Sequence, residues 1–311
     1  LKTFLGFGVT ESTPDHSSLT YIRKRLPLEV HYRVFLFVLE IAEKKKLLKG
    51  KTVAVDSTTL EANAAMKSIV LKETGEDWKE YLQRLAKEEG IEEPTDEDLR
   101  RFDKKRKDKK VSNKDWESKT DHDSRITKMK DGRTHLAYKA EHAIDMDSDL
   151  VVAVEVFHAD ESDPSTLLPT VVGAQVNLTL AGSTSEIKDA VADKGYHKME
   201  TLADLESYGI RTYIPEKRCR GKHTWIDKPE SHQEAYRANR RRVQGKRGKR
   251  LQRKRSELPE RSFAHVCETG GARRTWLRGR EDINKRYLIQ VAARNLGVIL
   301  RRLGAVGTPR S

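Results

Sequence analysis

The sequence contains few cysteines, few aromatic residues and no long apolar run. Aromatic residues make up 6% of the 311 positions, and the two cysteines, Cys219 and Cys267, stand alone without a Cys-x-x-Cys pair. This arrangement offers no zinc-ligand spacing and is typical of a reducing cytoplasm. The least polar stretch, residues 28–48, includes seven charged residues, so no segment approaches the ~20 apolar residues that a bilayer span requires. We therefore expect a cytoplasmic protein with no membrane partner, and no signal peptide is visible.

Charge is abundant and is concentrated in one segment. The chain has 61 Lys and Arg residues against 48 Asp and Glu residues. The basic segment, residues 217–255, holds 16 of these basic residues and three acidic ones, so its net charge of +13 equals that of the whole chain. Such a cluster indicates a polyanionic partner, because each neutralised phosphate of a nucleic acid releases condensed counterions. The alternative is a solvated basic loop without a partner. The cluster includes Arg240, Arg241, Arg242, Lys246, Arg247, Lys249, Arg250, Arg253, Lys254 and Arg255.

Apolar periodicity predicts an α/β chain. The spacing over residues 28–48 predicts a helix that ends an N-terminal helical arm, residues 1–50. Two β-rich runs joined by Asp147-Ser148-Asp149 predict an antiparallel hairpin, and Asp163-Pro164 predicts the start of a helix. The hairpin strands are predicted at 136–146 and 150–158, further strands at 53–55, 187–192 and 211–214, and further helices at 78–89, 202–209, 286–303 and from near Pro259 to about 269.

The length of 311 residues fits one large domain or two ordinary ones. We expect residues 51–303 to form one domain, with a highly charged and partly disordered insertion at about 67–131, after the first strand. Residues 304–311 are expected to form a flexible tail.

Three carboxylates occupy positions that a packed core disfavours. Asp56 and Asp193 each end an apolar strand, and the carboxyl ends of neighbouring strands are where α/β sheets build their sites. Glu260 is expected to face inward, because Phe263, Ala264 and Cys267 follow it at helical spacing. Converging carboxylates repel one another, and burying each costs several kcal/mol unless a cation pairs with it.

Divalent cations would resolve this conflict. Mg²⁺ prefers oxygen ligands and usually binds through one or two carboxylates together with substrate phosphate. Two such ions ~3.5 to 4 Å apart stabilise the attacking and leaving oxygens of a phosphoryl displacement, so the pattern predicts cleavage or transfer at a phosphodiester. Each acid taken alone also fits a turn or a helix end. Spacing does not exclude the rival acids, which are Asp121, Asp123, Asp145, Asp147, Glu257 and Glu268.

Similarity to a known family extends over nearly the whole chain. It rests on six segments, in this order: FLGFGVTESTPDHSSLTYIRKRL, VAVDSTTLEANAA, DHDSRITKMKDGRTHLAYKAEHAID, VADKGY, ELPERSFAHVCETGG and RNLGVILRRL. These segments resemble the bacterial insertion-sequence transposases with a DDE domain. The resemblance implies an RNase H-like mixed sheet flanked by helices. In one departure from related families, Arg253 and Ser256 stand where a Tyr and an Arg are usual upstream of the Glu, and no Lys follows it near Val266 and Cys267.

The resemblance also implies an activity and its residues. It places the catalytic, metal-binding triad at Asp56, Asp193 and Glu260, with two Mg²⁺ ions that Mn²⁺ could replace. It implies cleavage at the ends of the element and strand transfer into target DNA, by a homodimer on double-stranded DNA. Phosphate contacts are expected from the basic segment, from Lys194 and from Arg261, and the N-terminal helices are expected to grip the element's ends.

Some residues and functions stay open at this level. Trp276 lies between two arginines and could stack on an unpaired base or pack in the core. The remaining histidines of note are expected to be sheet residues without metal-ligand spacing, namely His135, His142 and His158. A catalytically inactive or domesticated DNA-binding protein would share the basic segment, and an RNase H-like nuclease without joining activity would share the triad.

Overall fold

A computed structural model describes residues 2, 6–13, 15–107, 111–129, 131–217 and 225–304. Cys219, the first part of the basic segment and the predicted tail beyond residue 304 lie outside the described residues. Among the helices in these ranges, none has the length and apolarity that a membrane crossing requires.

A mixed sheet of six strands forms the centre of the fold. Its strands are β1 (Thr52–Glu61), β4 (Arg125–Lys128), β5 (Thr134–Asp145), β6 (Leu150–His158), β7 (Asp189–Val191) and β8 (Arg211–Tyr213). The order is β4-β5-β1-β7-β8, and β6 pairs with β5. Strand β5 is antiparallel to β1, β4 and β6, whereas β1, β7 and β8 run parallel. The predicted hairpin is confirmed, and so is the expected RNase H-like mixed sheet flanked by helices.

Strand β1 is longer than the sequence predicted. The expected strand ended at Val55, but pairing with β5 continues as far as the Glu61–Ala137 pair. Asp56 therefore lies within the strand, directly opposite His142 of β5, rather than at its end. The polar residues that follow Val55 hid this continuation, because the expectation of a short buried strand depended on an unbroken apolar run.

Helices cover both faces of the sheet. They are α1 (His16–Arg25), α2 (Leu28–Lys44), α5 (Asp163–Leu180), α6 (Met199–Ser207), α7 (Glu230–Gln244), α8 (Lys246–Phe263) and α9 (Arg280–Gly304). Successive side chains of a strand point to opposite faces. Accordingly Glu141 of β5 contacts α5, and the next residue, His142, contacts α8 and α9. Helix α2 packs against α9 and buries Phe35 and Leu39 in the main core, so the predicted arm is partly built into the domain.

The basic segment is largely helical, and one helix begins earlier than predicted. The expected start near Pro259 is wrong, because α8 begins at Lys246 and Pro259 lies in its interior. Helix α8 is followed directly by a π-helical stretch, Ala264–Thr269. Lys and Arg have good helix propensity. Leu251 and Leu258 are buried two turns apart, so this mainly charged sequence still forms a packed helix.

The charged insertion is folded over most of its described length. It contains β2 (Ile69–Leu71) paired with β3 (Trp116–Ser118), and helices α3 (Trp78–Glu88) and α4 (Asp96–Lys105). Both helices begin with capping boxes, which satisfy amide groups at the helix start. Leu82, Ala86 and Leu99 form a small core between them. The helix predicted at 78–89 is therefore confirmed as α3, whereas the expectation of partial disorder did not anticipate α4, β2 and β3.

His142 joins the sheet to two helices. Its imidazole nitrogens lie 3.1 Å from Ser262 Oγ of α8 and 2.9 Å from Tyr287 Oη of α9, and Phe263 stacks on the ring. Complete burial, with a smaller contribution from the charge of Arg294, lowers the pKa of His142 to about 3. The imidazole is therefore neutral in the folded protein at neutral pH.

We expect this buried histidine to make stability fall in acid. Between its ordinary pKa of 6.5 and its folded pKa of about 3, the unfolded chain binds a proton that the folded chain does not. As the pH falls through this window, His142 should therefore reduce the free energy of unfolding by ~1.4 kcal/mol per pH unit. Urea unfolding between pH 7 and pH 4 should show a shallower loss for His142→Asn than for the wild type. Equal slopes would contradict the prediction.

Candidate active site

Asp56 and Asp193 lie at the same level on neighbouring parallel strands. The last residues that pair between β1 and β7 are Ala54 and Val191. Asp56 follows Ala54 by two residues, and Asp193 follows Val191 by two residues. The two carboxylates are close enough that the charge of Asp193 contributes to raising the pKa of Asp56. Burial is the larger cause of that raised pKa, and the positive charge of Arg255 opposes it.

Arg255 supplies the positive charge at Asp56. Its Nη2 lies 2.7 Å from Asp56 Oδ2, with the two side chains 13% and 28% exposed. The Nε of Arg255 is buried without a hydrogen-bond partner among the described residues. The sequence predicted Arg255 as a contact for DNA phosphate, whereas in the structure its guanidinium forms an ion pair with Asp56 of β1.

A third carboxylate, Asp163, faces Asp193 across a glycine. Asp193 begins a short 3₁₀ turn, Lys194–Tyr196, and accepts a hydrogen bond of 2.7 Å from the Gly195 amide. A Cβ at Gly195 would lie 2.7 Å from Asp163 Oδ2 and 2.8 Å from Asp193 Oδ1, so a larger residue here would require the carboxylates to shift. Asp163 also accepts a hydrogen bond of 3.2 Å from Ser57 Oγ, next to Asp56.

Behind Asp163 lies a buried ion pair that the sequence reasoning missed. Lys139 and Glu141 point to the α5 face of β5 and are 5% and 0% exposed. Lys139 Nζ lies 2.9 Å from Asp163 Oδ1 and 3.4 Å from Glu141 Oε2. The available signal was the pair of charges at alternate positions within an otherwise apolar strand, which places both charges on one buried face.

Glu260 does not face inward as expected. The side chain is exposed, whereas Leu258, Pro259, Ser262 and Phe263 of the same helix are buried. The expected stripe included Ala264, but Ala264 is exposed, and the true buried stripe also includes Arg255. Helix α8 is therefore rotated about its own axis relative to the orientation that the sequence predicted, and Glu260 faces solvent. Glu260 still lies on the segment between Arg255, which contacts Asp56, and Ser262, which contacts His142.

The three predicted acids do not form a metal-binding group in this structure. Within the described ranges, no three or more His, Cys, Asp or Glu side chains are arranged to hold a metal ion. Asp56 and Asp193 do offer the donors of a single Mg²⁺ site, since that ion usually takes one or two carboxylates and fills its shell with water and phosphate. The Arg255 guanidinium at Asp56 indicates that this position accommodates a positive charge. The triad Asp56, Asp193 and Glu260 stays a prediction.

Most rival acids have a structural role. Asp121 and Asp123 accept hydrogen bonds from the amides of Gly279 and Arg280, where α9 begins. Asp145 accepts hydrogen bonds from Ser148 and the Asp147 amide at the hairpin turn, and from the Lys49 amide before β1. Asp147 pairs with Lys254 and Glu268 with Arg273. Glu257 is exposed on α8, one turn before Glu260.

The predicted DNA-binding residues fall into two groups. Half of them make ion pairs with acidic side chains, and Arg242 also hydrogen-bonds to the carbonyl of Thr212. These residues are Arg240, Arg242, Arg247, Lys254, Arg255 and Arg261. The other half are exposed and make no ion pair within the part of the chain that the structure describes. These residues are Lys194, Arg241, Lys246, Lys249, Arg250 and Arg253. The second group offers the charges that are most available to phosphate.

Trp276 is exposed rather than packed in the core. Its side chain is 72% exposed, and the neighbouring Arg274 and Arg278 line an open cavity of 530 Å³. The Asn63 side chain donates a hydrogen bond of 3.1 Å to the Trp276 carbonyl, which fixes this segment beside the end of β1. The core role is therefore wrong, and stacking on an unpaired base stays a prediction. His135, His142 and His158 all lie in sheet strands, as expected.

Comparison with known families assigns the domain. Residues 48–296 match the family model described as the transposase DDE domain. Searches of curated proteins and of solved structures each give no match. The matched range contains the whole mixed sheet, the facing carboxylates and helix α8. It also agrees with the resemblance in the sequence and with the mixed sheet flanked by helices. The chain therefore belongs to the transposase DDE domain family.

Proposed function

We propose that the chain is the transposase of a bacterial insertion sequence. It cleaves the phosphodiester bonds at the ends of its element and joins the freed ends to target DNA. The observation that carries this proposal is the register of β1 and β7, which brings Asp56 and Asp193 together beside a strongly basic helix. Family membership supports a transposase-type activity with DNA as its substrate.

The acids are proposed to hold divalent cations. Asp56 and Asp193 hold Mg²⁺, or Mn²⁺ in its place, and Glu260 completes the triad when DNA is bound. The bound ions supply Lewis acidity that activates water, or a 3′-hydroxyl, and stabilises charge on the scissile phosphate. Burial raises the pKa of Asp56, so a proton and a cation compete for this carboxylate, and a bound cation would offset the cost of burying its charge. Arg255 then leaves Asp56 and becomes available to phosphate.

Helix α8 is proposed to carry the DNA backbone. Lys246, Lys249 and Arg250 are exposed on its first turns, and Arg255 reaches Asp56 two turns later. A duplex held on the outer side of this helix would lie close to the acids. We further propose that the N-terminal helices grip the element's ends, that the protein acts as a homodimer on double-stranded DNA, and that it works in the bacterial cytoplasm at the nucleoid.

Asp56→Asn should abolish cleavage and leave DNA binding intact. The substitution removes the negative charge that ligates the cation but keeps the shape of the side chain. With Mg²⁺ and a duplex carrying the ends that flank the gene, the rate should fall by at least ~10³-fold, with the dissociation constant for DNA unchanged within twofold.

Supplying pre-cut 3′-hydroxyl ends with a target plasmid separates the two steps for the wild-type protein. Joined products support transposition, whereas cleavage without joining would leave a nuclease. Cleavage that persists in Asp56→Asn would contradict the metal role. A wild-type protein that binds DNA but neither cuts nor joins would be an inactive or domesticated relative.

Glu260→Gln should lose cleavage, whereas Glu257→Gln should keep it. The two side chains are exposed on the same helix, one turn apart, so the substitutions match in charge and helical position. We expect a loss of at least ~10²-fold for Glu260→Gln, and less than twofold for Glu257→Gln. Equal activity of the two variants would show that Glu260 is not the third acid.

Neutralising the exposed bases of α8 should weaken DNA binding and its salt dependence. Replacing Lys246, Lys249 and Arg250 with Gln should lower the slope of log affinity against log salt concentration by up to about 3, because each phosphate contact contributes ~0.9. A matched control replaces the exposed Lys87, Lys104 and Lys105 of the insertion with Gln, which changes the net charge equally. If both triple variants lose the same slope, only net charge matters and α8 is not the DNA surface.

A further inference from the structure

Glu141 is the most enclosed acid near the candidate active site. Its side chain is fully buried, and its carboxylate accepts hydrogen bonds from Thr166, Thr170 and Tyr196 at 2.7, 2.5 and 2.9 Å. Lys139 Nζ completes the shell at 3.4 Å. These donors come from three separate elements, because Thr166 and Thr170 belong to α5, Lys139 to β5, and Tyr196 to the turn after β7.

Two of these contacts lead directly to the acids of the site. Lys139 connects Glu141 to Asp163, whose Oδ1 lies 2.9 Å from its Nζ. Tyr196 is the last residue of the turn that Asp193 begins, so its hydroxyl ties that turn to Glu141. The two sets of contacts converge near Gly195, because the carboxylates of Asp163 and Asp193 both lie close to the position that a Cβ of this residue would take.

An ion pair of this kind contributes little to stability by itself. Removing two charges from water costs several kcal/mol each, and apolar residues of similar size often give an equally stable protein. A buried pair that links three elements, contacts the Asp163 carboxylate and holds the turn of Asp193 through Tyr196 therefore points to placement of those two acids. The network lies on the α5 face of the sheet, opposite Arg255 and His142, so it acts independently of the basic helix.

We propose that Lys139, Glu141 and Tyr196 are positioning residues that hold Asp163 and the Asp193 turn in the arrangement needed for cation binding. This inference rests on the proposed function. The network's task is to fix two like-charged carboxylates close together before any cation arrives. Groups that orient metal ligands commonly change metal affinity or activity by about 10- to 100-fold when they are removed.

Tyr196→Phe is the sharpest test, with Tyr138→Phe as its matched control. Each tyrosine is buried and donates one hydrogen bond to a carboxylate, Tyr196 to Glu141 and Tyr138 to Asp121. Asp121 lies outside the site and contacts the start of α9. Thermal unfolding of both variants measures the ordinary structural cost of losing such a bond.

Two readouts distinguish positioning from stability. In the metal-free protein, amide hydrogen exchange of residues 193–197 should become at least ~10-fold faster in Tyr196→Phe. Titration with Mn²⁺, followed by the electron paramagnetic resonance signal of the free ion, should show an affinity at least ~10-fold weaker. Tyr138→Phe should match the wild type within twofold in both measurements. The inference is overturned if Tyr196→Phe also matches the wild type, or if the two variants change equally.

Lys139 gives a second test with a built-in rescue. Lys139→Met removes the charge between Glu141 and Asp163, and Lys139→Arg retains it. Only Lys139→Met should weaken Mn²⁺ binding. If it does not fold, the tyrosine pair decides the question. Failure of the proposed function looks different, because the wild-type protein would then bind no Mn²⁺ and cut no DNA. Hydrogen exchange in the metal-free variants would still show whether the network holds the turn.

Discussion

Crowding of negative charge at the end of the parallel strand pair is the constraint on which this structure depends. The register of β1 and β7 sets Asp56 and Asp193 side by side, and the start of α5 adds Asp163. Carboxylates this close repel one another unless cations lie between or beside them. The chain supplies two cations of its own, Arg255 on one face of the sheet and Lys139 on the other. Both are largely buried, so both serve this local balance of charge.

Helix α8 connects that balance to the basic segment. Its inner face carries Leu251, Leu258 and Phe263 into the core and places Arg255 on Asp56, while its outer face carries lysines and arginines. One helix thus presents positive charge in two directions. Removing Arg255 from Asp56 would leave a partly buried carboxylate without its pair. Any cation that replaces it restores the balance, which links occupancy of the acids to the position of an arginine on this basic helix.

The sequence was sufficient for the parts of the fold that local patterns determine. The β5–β6 hairpin, the strand before Asp193 and the helix after Asp163 follow from apolar runs and turn residues. Asp56 and Asp193 could be expected to converge because each follows an apolar run of a neighbouring strand, although β1 continues beyond Asp56. The orientation of α8 about its axis could not be predicted from the sequence. Phe263 and Cys267 are buried as expected, but the buried side of the helix leaves Glu260 exposed. Beyond the predicted helix at 78–89, the folded insertion was hidden, because its order depends on capping boxes and a few apolar residues within a highly charged stretch.

The glycine between Asp163 and Asp193 limits how this site can change in evolution. A single methyl group at position 195 would lie within 2.8 Å of both carboxylates, so even alanine would require them to shift from this arrangement. Relatives that keep the two acids in this geometry should therefore retain glycine, and relatives with another residue there should have lost or displaced one of the acids. Sequence variation at this one small residue can thus report whether a homologue preserves the same spacing of charge.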